Sequence, residues 1–128
     1  MDRTRVFLAA NALLWLPYGL YCLARPHMLA EVAGVVAAST TGSTELRAMY
    51  GGLQAAIGTL MLVAVFRSNL RRTALITLAF LAGGLFSARL VGAFTDGGPS
   101  SYTAGALVLE SSLTLLSIWL LRQHPGDS

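Results

Sequence analysis

Four apolar stretches dominate this chain, at residues 6–24, 46–66, 73–94 and 102–121. Each is about 19–22 residues long, close to the roughly 20 a helix needs to cross a hydrocarbon core. A water-soluble four-helix bundle carries a polar stripe along every helix, and these stretches carry none. Only 12% of the residues are charged, about half the ~25% usual in a soluble domain. The expected fold class is therefore all-α: a polytopic membrane protein, one domain built as an antiparallel bundle of four transmembrane helices.

The connections between the stretches are unequal. Residues 25–44 form the longest, where Pro26 is suited to open a short helix through Glu31. Ser39 to Thr44 reads as a polar loop, with Ser43 or Thr44 as the N-cap of the second long helix. Residues 67–72 make a tight basic turn, and Asp96-Gly97-Gly98-Pro99 is a strong turn signal. Arg3 and Arg5 ahead of the first stretch also resemble the start of a signal peptide. That stretch exceeds the roughly 7–15 apolar residues of a signal core, however, and no Ala-x-Ala site follows it.

All nine strongly basic residues are arginines, and their placement sets an orientation. With four spans, Arg3, Arg5, Arg67, Arg71, Arg72 and Arg122 share one side, while Arg25 and Arg47 lie on the other. The positive-inside rule then puts both termini in the cytoplasm. The arginines form no long run, so nucleic acid is not an expected partner; the lipid bilayer is.

Against this background the intramembrane polar residues need a reason. At 1.5 Å per residue, Arg89 lies about 8 Å inside the outer end of the third helix, Glu110 about 12 Å inside the fourth and Gln54 about 13 Å inside the second. Arg47 and Tyr50 are nearer the start of the second. Arg47, Tyr50, Gln54 and Gly58 follow steps of three and four, and so do Glu110, Thr114 and Ser117; each set shares a helix face. The expectation is one inward cluster of Arg47, Tyr50, Gln54, Arg89 and Glu110, open to the outer side and roofed by residues 25–44. The plainer alternative is a buried Arg89–Glu110 pair that only fixes how two helices dock.

Several chemistries lack their residues. No His, Cys, Asp or Glu cluster has metal-ligand spacing, and His27 and His124 fall on opposite sides of the membrane. No serine or cysteine has a visible histidine partner, and no cofactor motif is present. Gly51, Gly52, Ala55 and Gly58 lack the lysine and hydroxyl of a P-loop and read as close helix packing. Cys22 is the single cysteine, so no internal disulfide is possible, and its place in an apolar stretch reads as a small packing residue.

The stretch Glu45-Leu46-Arg47-Ala48-Met49-Tyr50-Gly51-Gly52, with Gly58 after it, resembles the signature of a family of small bacterial four-helix integral membrane proteins of unknown function. Ala88-Arg89-Leu90 with Gly92, the Asp96-Gly97 turn with Pro99, and Glu110 match the same family in order. The resemblance covers nearly the whole chain. It implies four spans in the bacterial cytoplasmic (inner) membrane and a polar outer-side cluster, and it supplies no activity.

Three functional classes stay open. One is a pocket for a small or lipid-like ligand, with Arg47 or Arg89 holding an anionic or carbonyl group and Glu110 pairing with it or taking a proton. Another is a non-catalytic subunit or scaffold that forms homo- or hetero-oligomers through glycine-rich helix faces. The third is a small four-helix exporter, although such exporters place their essential acid in the first helix, where this chain has only Asn11. The topology is directly testable: reporter fusions at Ser128 and within residues 39–43 should give opposite signals, and equal signals would contradict it.

Overall fold

The computed structural model describes residues 2–123 and is all-helical over them, with no strand. The elements are α1 (Arg3–Ala24), α2 (Met28–Ala33), α3 (Thr40–Leu46), a π-helical turn (Arg47–Gly52), α4 (Leu53–Phe66), a short 3₁₀ turn (Ser68–Leu70), α5 (Arg71–Thr95) and α6 (Ser101–Gln123). The α3, π and α4 segments run on as one helix, Thr40–Phe66. Four helices are thus long and apolar enough to cross a membrane. Leu13, Phe66, Phe80 and Val108, one from each, are 77%, 72%, 79% and 68% exposed, whereas Asn11, Gln54, Glu110 and Ser117 are buried. Large apolar side chains outside and polar ones inside suit lipid rather than water as the surrounding medium, and fit a multi-pass membrane protein.

Three local features differ from the sequence expectation. The short second helix begins at Met28, after Pro26, and ends where Gly34 takes a left-handed conformation at φ 68°. The polar run after Ser39 is helix, not loop. Ser39 itself is the N-cap: its backbone is extended and its hydroxyl accepts from the Gly42 N–H at 3.0 Å. The Thr44 hydroxyl then donates to the Thr40 carbonyl at 3.1 Å, so the small polar residues satisfy one another within the helix. Last, the π turn falls on Arg47–Gly52, where the Leu53 N–H reaches back to the Ala48 carbonyl. Such i→i+5 closure rotates the residues before Leu53 away from α-helical register. Arg47 is exposed and Tyr50 half-buried, while Gln54 and Gly58 are buried.

The chain divides into two compact units, Met1–Arg71 and Arg72–Ser128. In the first, α1 and α4 pack in opposite directions with glycine at each close approach. A Cβ on Gly58 would collide with the Leu16 backbone, one on Gly19 with the Ala55 backbone, and one on Gly51 would sit 2.6 Å from Leu23 Cγ. Gly51 and Gly58 are therefore packing residues, as their spacing indicates, whereas a Cβ on Gly52 would meet only the Arg47 carbonyl, at 3.9 Å. Leu8, Ala12, Cys22, Ile57, Met61 and Ala64 are buried along the same two helices.

Arginines secure both ends of this pair. At one end Arg47 donates to the Leu23 carbonyl in the last turn of α1. At the other, Arg71 donates to the Ala64 and Val65 carbonyls at 3.4 and 3.5 Å and pairs with Asp2 at 3.4 Å. Asp2 is also the N-cap of α1, accepting from the Thr4 N–H. One side chain thereby satisfies carbonyls that end α4 and tethers them to the start of α1.

The second unit consists of α5 and α6, joined by the turn at residues 96–100. A Cβ on Gly83 would lie 3.5 Å from Thr114 Cγ2, in ordinary contact, and one on Gly84 would meet nothing within 4 Å. Gly58 and Gly84 make a paired test. Gly58→Ala should lower the unfolding temperature in detergent, with an overpacking cost of about 1–3 kcal/mol. Gly84→Ala should leave it unchanged or raise it, since alanine is favoured over glycine in a helix by up to about 1 kcal/mol. Equal effects from the two would contradict the close approach of α1 and α4.

Candidate functional site

The five residues expected to form one cluster fall in different units. Arg47, Tyr50 and Gln54 belong to the first, and Arg89 and Glu110 to the second. Within the second unit the expected pair forms: Arg89 Nε donates to Glu110 Oε1 at 2.7 Å, joining α5 to α6. A charge-assisted bond of this length is among the stronger contacts available to a side chain. The partners are unequally placed. The Glu110 side chain is 4% exposed and that of Arg89 28%, so the pair is approached from the arginine side.

Two further features surround the pair. The Tyr102 ring, in the first turn of α6, lies with its centroid 5.8 Å from Arg89 Cζ, within cation–π range. Glu110 Oε2 is buried and has no hydrogen-bond partner among the described residues. A carboxylate oxygen left that way in an apolar setting is costly, and it is an acceptor that a donor could complete. Below it on α6, Thr114 donates to the Glu110 carbonyl at 2.8 Å. Ser117 is fully buried, and its hydroxyl has no partner among the described residues. Glu110, Thr114 and Ser117 thus form a polar line on one face of α6, as their spacing predicts.

Tyr102 was not singled out by its sequence position, which marks only the start of a helix. The available signal is that it stands eight residues before Glu110, about two helical turns away. Its role depends on the reach of Arg89 from another helix, which no spacing rule encodes.

In the first unit the polar residues have separate surroundings. Arg47 is engaged with the Leu23 carbonyl. Tyr50 is half-buried within the π turn. Gln54 is buried, with Oε1 unpartnered among the described residues. Asn11, also buried, is satisfied inside α1: it donates to the Phe7 carbonyl at 2.9 Å and accepts from Trp15 Nε1 at 3.2 Å. His27 is exposed in the turn before α2, and His124 lies outside the described residues. No three His, Cys, Asp or Glu side chains gather at metal-binding distance among the described residues.

A family model described as a domain of unknown function, DUF4345, matches residues 3–121. The chain belongs to this family. The match takes in all four long helices and both members of the Arg89–Glu110 pair. No curated protein and no solved structure matches the chain.

Proposed function

We propose that this DUF4345 protein is a multi-pass protein of the bacterial cytoplasmic membrane, with both termini in the cytoplasm, that binds a small or lipid-like ligand at the Arg89–Glu110 pair. The observation that carries the proposal is the second carboxylate oxygen of Glu110, buried and without a donor beside a 2.7 Å ion pair. A pair serving only to hold two helices together is most stable when both carboxylate oxygens are satisfied. Here one oxygen positions Arg89 and the other remains an acceptor. The partly exposed guanidinium supplies positive charge, and Tyr102 supplies an aromatic wall. A head group with an O–H or N–H donor and a carbonyl or anionic acceptor suits this set, with its apolar portion among the helices. Gln54 and Tyr50 are proposed as binding groups of the first unit, on the unpartnered Oε1 of Gln54.

The competing proposal is a scaffold or non-catalytic subunit in which the pair is internal glue; the directness of the Arg89–Glu110 bond favours it. The two separate in a mutant cycle read by native mass spectrometry and thermal unfolding in detergent. Removing one partner, as in Arg89→Met, strands a buried charge and should cost about 3–5 kcal/mol, and Arg89→Met with Glu110→Leu should recover much of it. The expected result is a folded double variant that has lost a small-molecule or lipid adduct carried by the wild-type protein. A folded double variant that keeps the adduct, or a wild-type protein that carries none, would contradict ligand binding at this pair and leave the scaffold.

A further inference from the structure

We infer that the end of the first unit where α1 begins and α4 ends is a docking surface for the head group of an anionic phospholipid. It is independent of the Arg89–Glu110 pair. The tether from Arg71 to Asp2 and to the Ala64 and Val65 carbonyls brings the first turn of α1 against the last turn of α4. Arg3 and Arg5 are thereby brought to the same end as Arg67 and Arg71, with Asp2 the carboxylate paired there among the described residues. Arg3 and Arg67 are exposed.

Charge alone would describe any membrane-flanking basic cluster. The further observation lies among buried atoms. Arg5 Nε and Thr4 Oγ1 are buried and have no hydrogen-bond partner among the described residues, and Thr4 is only 2% exposed. Both atoms carry a hydrogen to donate. They belong to consecutive residues in the first turn of α1, on the basic end. A phosphate brings several strong acceptor oxygens and the negative charge that the arginines call for.

The neighbouring apolar side chains indicate a lipid rather than a free ion. Phe66, next to Arg67, and Val6, next to Arg5, are 72% and 49% exposed. Basic groups bordered by exposed apolar ones match the boundary between head groups and acyl chains, where arginine binds anionic lipid.

The full-length protein in phosphatidylcholine micelles would be titrated with phosphatidylglycerol and bound lipid counted by native mass spectrometry. The expected result is retention of phosphatidylglycerol over phosphatidylcholine, with no displacement by inorganic phosphate at equal concentration. Arg5→Gln with Arg67→Gln should lower that preference about fivefold for each arginine removed, whereas Arg5→Lys should keep most of it. Arg67→Gln alone leaves α1 intact and should show its own fivefold share if the double variant does not fold. Equal retention of the two lipids, an unchanged preference in Arg67→Gln, or displacement by inorganic phosphate would overturn the proposal.

Discussion

Every polar group within a chain this apolar has to find its partner inside the protein, because hydrocarbon supplies none. Most of the described structure follows from that accounting. Hydroxyls inside the helices return to carbonyls one turn back: Thr59 to Ala55, Ser87 to Gly83, Ser112 to Val108 and Thr114 to Glu110. Asn11 bonds within its own helix and to Trp15. Arg47 and Arg71 satisfy carbonyls at opposite ends of the α1–α4 pair. The exceptions among the described residues are correspondingly informative, and they are Thr4 Oγ1, Arg5 Nε, Gln54 Oε1, Glu110 Oε2 and Ser117 Oγ. Two of them lie on the face of α6 that carries the ion pair and two on the first turn of α1. Each such buried atom asks for an explanation, because nearly all buried polar groups in folded proteins are paired.

The two units answer the same constraint by different means. In the first, backbones meet directly through Gly19, Gly51 and Gly58, and the arginines seal the helix ends. In lipid, where helix association gains little from hydrophobicity, such close approach supplies dispersion contacts that bulkier residues would forbid. In the second, α5 and α6 are joined by long side chains, Arg89 to Glu110, with Tyr102 against the guanidinium. An association built on a charge pair can exchange partners with a ligand; one built on backbone contact cannot. The ligand contact proposed at the Arg89–Glu110 pair lies in the second unit, and the packing through glycine in the first.

Much of this was legible in the amino-acid sequence, because the strongest signals there are also the strongest forces. Runs of about 20 apolar residues have few alternatives to spanning helices. An arginine and a glutamate at similar depth in consecutive spans have strong reason to meet. Small residues repeating every three or four positions allow close packing, which Gly51 and Gly58 provide. What was not legible depends on tertiary contact. The π turn at Arg47–Gly52 leaves no mark in a residue pattern, yet it alters the helical register between Arg47 and Gln54. Ser39 does not stand out as a cap in the sequence because the threonines and glycine after it have weak helix propensity, which packing and capping outweigh. The partner of Arg47 is a backbone carbonyl, and carbonyls are the same at every position.

The central claim is that Glu110 divides its oxygens, one holding Arg89 and one reserved for a ligand. The most direct measurement is an experimental high-resolution structure of the protein purified from native membranes. The account predicts Arg89 Nε on Oε1 and non-protein density with a donor atom about 2.5–3.2 Å from Oε2. A protein side chain bonded to Oε2, or a solidly packed environment with no foreign density beside it, would contradict it.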